Sequence, residues 1–133
     1  MKPPVLLCYN LKEDKASKIK QLAMRLRIRI RVVSAMEFHQ PLAVLCGYAQ
    51  PLELLPVPEP FTTEMLVLAN FTQPMLTDFL NGFRHGAIPA VTLKAMLTET
   101  NQQWDSVTLH HELSQEHAAI AASRQAHTEG QKP

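Results

Sequence analysis

Two five-residue apolar runs set sixty positions apart constrain this chain more than any other feature of it. Val5-Leu6-Leu7-Cys8-Tyr9 and Met65-Leu66-Val67-Leu68-Ala69 carry no charge, and an asparagine comes after each, Asn10 and Asn70. A short run without polar alternation suits a strand buried on both faces, and the asparagine suits the turn or cap that ends it. The segments after the two runs are also alike. Residues Lys12 to Arg27 place Ala16, Ile19, Leu22, Ala23 and Leu26 at three-and-four spacing, which predicts an amphipathic helix. After Asn70, Thr72 is a plausible N-cap, Pro74 falls in the tolerated first turn, and Leu76, Phe79, Leu80 and Phe83 form a stripe that Gly86 ends.

Period two then replaces period 3.6 in both halves. In Arg27-Ile28-Arg29-Ile30-Arg31-Val32-Val33, arginines alternate with β-branched residues, so Ile28, Ile30 and Val32 are expected to face a core and the guanidinium groups to face away. Ala90-Val91-Thr92-Leu93-Lys94-Ala95-Met96 is the alternating strand of the second half. At an offset of sixty, Leu6/Leu66, Asn10/Asn70, Ile28/Ile88, Ala35/Ala95 and Met36/Met96 are identical, which suggests a duplicated βαβ unit.

The doubly apolar strands are expected at the centre of a sheet and the alternating ones at its edges. That assignment suits an α+β fold: a ferredoxin-like two-layer sandwich, antiparallel in order 4-1-3-2, with both helices on one face. The opposite face would then expose apolar side chains and need a cover. The Pro-rich connection 37–63, the C-terminal helix and a second subunit are the candidates. The connection contains Pro41, Pro51, Pro56, Pro58 and Pro60, with one helical turn expected near Leu42 to Leu45. Asp105 is expected to cap the C-terminal helix, with Trp104 and Leu109 as a hydrophobic staple. One domain, 1–122, is expected: a first unit at 1–36, the connection at 37–63, a second unit at 64–97, a loop and helix at 98–122, and a flexible tail at 123–133.

The stretch EMLVLANFTQPMLTDFLNGFRHGAIPAVTLKAMLTETNQQW resembles the bacterial domain-of-unknown-function family 3783. The resemblance spans roughly residues 64 to 117. It rests on the strand that ends before a Phe-Thr cap, on the helix exit Gly86-Ala87-Ile88-Pro89, and on Leu93-Lys94-Ala95 through Leu97-Thr98, Thr100-Asn101 and Trp104. Ala87 lengthens that exit by one residue relative to the family's pattern. The family implies no activity, cofactor or catalytic residue to carry over.

Composition narrows the function classes. With 133 residues, 46% of them hydrophobic, four glycines and two cysteines, the chain can build its own core without disulfide or metal staples. No apolar run reaches membrane-spanning length and the N-terminal run is too short for a signal peptide, so a cytoplasmic protein with no membrane partner is expected. Cys8 and Cys46 then read as reduced, buried thiols rather than a bridge, with Cys46 in the connection the more accessible in principle. Neither has a positioned base, although His39 and His85 are the histidines available. The run His110-His111-Glu112-Leu113-Ser114-Gln115-Glu116-His117 fits no zincin spacing, and His110 and His117 lie about 10.5 Å apart along a helix, so no metal is expected. No phosphate-binding glycine loop can be written, and no cofactor is expected.

Two features remain for binding. The loop residues Thr98, Thr100, Asn101 and Trp104 gather hydrogen-bonding groups beside an aromatic, as ligand loops do and as turn caps also do. The net charge of +1 hides a division: residues 1–36 carry +7 and residues 37–133 carry −6. Arg27, Arg29 and Arg31, with Arg25 nearby, form a comb of about 6.6 Å spacing that could track a polyanion. It could equally guard an edge strand or pair with the acidic second half. The expected function is a non-enzymatic module that binds a protein partner or a small regulatory ligand, with a homodimer through the helix-free sheet face as one form. The alternative is RNA or single-stranded nucleic-acid binding through the arginine face.

Overall fold

The two apolar runs form β1 (Val5–Tyr9) and β3 (Met65–Ala69), and every residue of both is buried. The computed structural model describes residues 2–53 and 59–130, so Pro56 and Pro58 of the connection and the last three residues lie outside the described residues. Helix α1 (Glu13–Arg25) buries Ile19, Leu22 and Ala23, and α3 (Gln73–His85) buries Phe79. Thr72 caps α3 as its sequence predicts, its hydroxyl accepting the Met75 N–H at 3.3 Å. The edge strands are shorter than their alternating patterns: β2 is Arg29–Val32 and β4 is Leu93–Met96.

The sheet runs β2-β1-β3-β4, which corrects the ferredoxin-like order. β1 and β3 are central and antiparallel, while β2 lies parallel beside β1 and β4 parallel beside β3, so the sheet is mixed. Side-chain alternation identifies which strands are edges. It carries no information about which edge adjoins which centre. Here each crossover helix returns its chain to the strand it left, and the two units meet only through β1 and β3. That pairing keeps the early contacts of each unit local in sequence.

The units are related by an approximate twofold axis between Leu7 and Val67, which face each other in the central pair. The offset of sixty persists through the backbone. Asn10 and Asn70 both adopt positive φ, 57° and 60°, and so do Arg27 and Ala87, at 59° and 52°. It then changes. Leu7 pairs with Arg31 whereas its equivalent Val67 pairs with Ala95, because Pro89 to Thr92 add four residues to the second unit. Val91, within that addition, is fully buried. The identities Ala35/Ala95 and Met36/Met96 are therefore not structural equivalents: Ala35 opens a 3-10 turn, Ala35–Glu37, and Ala95 lies within β4.

A third layer closes the face opposite α1 and α3. After the 3-10 turn at Ala35–Glu37 comes α2 (Leu42–Leu45), the helical turn expected there, and after a second 3-10 turn at Asn101–Gln103 comes α4 (Ser106–Gly130). Phe38, Leu42, Leu45, Cys46 and Leu109 pack there on Val5, Leu7, Tyr9, Met65 and Val67. Leu6, Cys8, Leu66 and Leu68 point the other way, onto Ile19, Leu22, Ala23 and Phe79. The helix-free face on which a homodimer was expected is thus covered by the chain itself. Asp105 caps α4 through its carboxylate, which accepts the Thr108 N–H at 2.8 Å. That helix runs on beyond residue 122 to Gly130, across the boundary expected for the tail.

Candidate functional site

The arginine comb is not assembled. Arg25 belongs to the last turn of α1, and Arg27 sits in the positive-φ turn before β2. Arg31 is half-buried and turned over the strand end: its guanidinium donates to the Leu45 carbonyl at 3.2 Å and pairs with the Glu37 carboxylate. Arg29 alone of the strand's arginines is exposed without a carboxylate partner among the described residues. Nor does Val32 face a core. At 59% exposure it lies at the open sheet edge, lining a shallow cleft with Leu11, Ala16 and Lys20.

In the loop after β4, Thr98 and Asn101 bond to each other, and Thr98 also lines a small surface cleft with Lys2, Tyr48 and Asn70. Asn101 is buried, its side-chain carbonyl accepting the Thr98 N–H at 2.7 Å and its amide donating to the Met96 carbonyl at 3.0 Å. The Thr98 hydroxyl accepts the Asn101 N–H in return. Trp104 packs against the core under α4, and Thr100 is exposed. Both cysteines are buried and free, as expected from the sequence, and Cys46 is no more exposed than Cys8 at 3% each. Burial pushes the Cys8 thiol up to about 12 and the Cys46 thiol up to about 11, the reverse of what a nucleophile needs. His39 faces Asp105, Nδ1 to Oδ2 at 3.4 Å, rather than either thiol. No cluster of metal-ligating side chains occurs among the described residues.

What the fold does assemble is a cleft of about 510 Å³ where the end of β1, the entries to β3 and β4 and the underside of α4 converge. Most of its lining residues carry a polar group, set among apolar carbon: Asn10, Lys12, Thr62, Thr63, Glu64, Thr92, His110, Ser114 and His117, with Leu93. Each side chain arrives for a local reason. Asn10 holds the left-handed turn after β1, and from there its amide donates to the Phe61 and Thr63 carbonyls at 2.9 and 3.0 Å. Asparagine tolerates that backbone region because its short polar side chain bonds locally.

Glu64 binds the start of α1 to the entry of β3. Its carboxylate accepts the Lys12 N–H at 3.1 Å and Lys15 Nζ at 2.6 Å, and Lys15 also reaches the Ala90 carbonyl at 3.1 Å. Both partners of the ion pair are mostly covered, at 11% and 20% exposure. Partial desolvation works to raise the Glu64 pKa, but the bonds from Lys15 and Lys12 outweigh it and hold the carboxyl below its ordinary value. Across the cleft, His110 stacks on Phe61 with ring centroids 4.0 Å apart, and its Nε2 meets the Thr63 hydroxyl at 2.5 Å. Desolvation, then the neighbouring His111, lowers the His110 pKa, so the neutral imidazole is favoured there.

Of the histidines and loop residues weighed from sequence as candidates, only His110 and His117 line this cleft. Thr63, Glu64, Asn10 and Thr92 went unrecognised because they come from three distant segments. The one available signal was the recurrence of asparagine after each apolar run. The arrangement suits recognition of a polar molecule: hydroxyls, an amide and imidazoles line a cavity whose carboxylate is already matched by lysine.

The fold and cleft together define an α+β module with a twofold-repeated βαβ core between two helical layers. Residues 64–120 match the model of the family described as Domain of unknown function (DUF3783), which bears out the resemblance carried by the second half. The match takes in the second βαβ unit and α4 as far as Ile120. No curated protein and no solved structure matches the chain. Among the described residues no helix is long and apolar enough to cross a membrane.

Proposed function

We propose that this chain is a binding module for a small polar ligand, held in the cleft between α4 and the ends of β1, β3 and β4. One observation carries the reading: the cleft draws polar side chains from both units and from α4, and internal bonds fix several of them before any ligand arrives. Pre-set hydrogen-bonding groups in a cavity of this size are what small-molecule recognition requires. A reducing, cytoplasmic setting belongs to the same reading and is supported by two free, buried thiols. The nucleic-acid alternative has less support, since Arg31 is committed to Glu37 and Leu45 and Arg27 lies outside the strand.

The test is a thermal-shift and calorimetric screen of the full chain against amino acids, nucleosides, sugars and small carboxylates, repeated on Ser114→Leu, which fills the cleft. A compound that raises the midpoint of the native protein and loses its effect on Ser114→Leu supports the proposal. Binding that is indifferent to this substitution, or no binding across the panel, overturns it.

A further inference from the structure

The two sheet edges are guarded unequally. In a parallel ladder, alternate residues direct both backbone groups to one neighbour. Leu97 N–H donates to the Leu68 carbonyl, so Ala95 and Leu97 bond to β3 while the N–H and C=O of Lys94 and Met96 point outward. Lys94 is the one charge on this edge, and its Nζ is folded back onto the Val91 carbonyl at 2.7 Å. Met96 is 40% exposed. Beside it on the same sheet face, Leu80, Phe83 and Ile88 line an open, mainly apolar cavity of about 230 Å³ with Arg84 and Lys94 at its margin.

We infer that β4 is a self-association edge and that its partner is a second copy of this chain. Antiparallel pairing of two β4 strands about Ala95 sets Lys94 of each copy opposite Met96 of the other. The outward backbone groups of both residues are then satisfied reciprocally. Because Lys94 lines the apolar cavity, its cross-strand partner Met96 is delivered to that cavity, so each copy supplies both the knob and the hole. This register also places no like charges face to face. On the other sheet face Ile120 of α4, half exposed, lies beside Leu93 at the same edge and adds apolar surface.

The opposite edge argues by contrast. The equivalent of Ala95 in β2 is Arg31, since Leu7 and Val67 are the paired residues of the central strands. The same pairing there would set Arg31 against Arg31, so that two long charged side chains, each held by its own Glu37, would crowd the dyad where β4 presents Ala95. That disfavours pairing at β2 and leaves β4 as the edge that closes a twofold dimer rather than an open chain of sheets.

The experiment is sedimentation of the full-length protein over a concentration series, with two kinds of variant. Met96→Lys is expected to weaken dimerisation at least about 100-fold, because a twofold interface loses two buried methionines at once and sets a lysine opposite each Lys94. Val32→Glu on the other edge is expected to leave it unchanged. Ala95→Cys tests the register directly, because residues paired across the dyad bring their Cβ atoms to about 4.5–5.5 Å, and mild oxidation is expected to give a covalent dimer. Met96→Cys is expected not to cross-link to itself. A protein that is monomeric throughout the series, a dimer that survives Met96→Lys, or an Ala95→Cys variant that does not cross-link overturns the inference.

Discussion

The bond between Tyr9 and Ser106 offers a sharp test of how the third layer is held. Tyr9 ends β1, Ser106 opens α4, both are fully buried, and their hydroxyls meet at 2.7 Å across 97 residues of sequence. Tyr9→Phe keeps the ring, which packs tilted against Phe38 and Phe61 with centroids at 5.6 and 5.7 Å, and removes only the hydroxyl. The buried Ser106 oxygen then loses its partner, which costs about 1–3 kcal/mol. For a chain of this size that is a fall in Tm of about 4–12 °C. Ser106→Ala strands the tyrosine hydroxyl instead and is expected to cost a similar amount. Tyr9→Phe combined with Ser106→Ala leaves no orphan, so its cost is expected to fall at least about 1 kcal/mol short of the sum of the two. Urea denaturation of the four proteins measures the cycle. Additive single effects, or a Tyr9→Phe variant within about 0.3 kcal/mol of the native protein, would refute the claim that this bond pins α4 to the sheet.

Other outcomes rest on the same geometry. Ala87 sits at φ 52°, where a Cβ is strained, so Ala87→Gly is expected to raise stability by about 0.5–1 kcal/mol in chemical denaturation. Gly86→Ala is expected to lower it, since the new Cβ would lie 2.9 Å from the Gly82 carbonyl oxygen. The Glu64 carboxyl titrates below its ordinary value of 4.5 in the folded chain. Its contribution is therefore present above that pH and lost as pH falls through the folded value. The stability difference between the native protein and Glu64→Gln is expected to vanish on acidification, and a difference that stays constant from neutral pH to about pH 3 would contradict the bonding described. Both thiols are buried with raised pKa, so labelling by a disulfide reagent at neutral pH is expected to proceed no faster than the protein opens. Prompt reaction of Cys46 would contradict its burial.

The sequence by itself determined the elements. Unbroken apolar runs can bury both strand faces, and only central strands do so, so β1 and β3 were legible as the middle of the sheet. The three-and-four stripes of α1 and α3, the Thr72 and Asp105 caps and the short turn at Leu42 to Leu45 were legible for the same reason: each is a local pattern with a local cause. The duplication was visible as far as Ile88. It then went out of register because four added residues shift every later equivalence without altering any local pattern.

What only the tertiary structure decided were matters of adjacency. Alternation marks a strand as an edge but not which centre it joins, so the order β2-β1-β3-β4 required the three-dimensional pairing. The arginines read as a comb from their spacing, yet Arg31 is drawn to Glu37 and Leu45 by a turn the strand pattern does not encode. The polar cleft is the clearest case. Asn10, Glu64, Thr92 and His110 come from four separate stretches of chain, and their meeting depends on α4 folding back across the sheet. Periodicity reports which way a side chain points within its own element, and the distances between elements are set by how their buried faces pack.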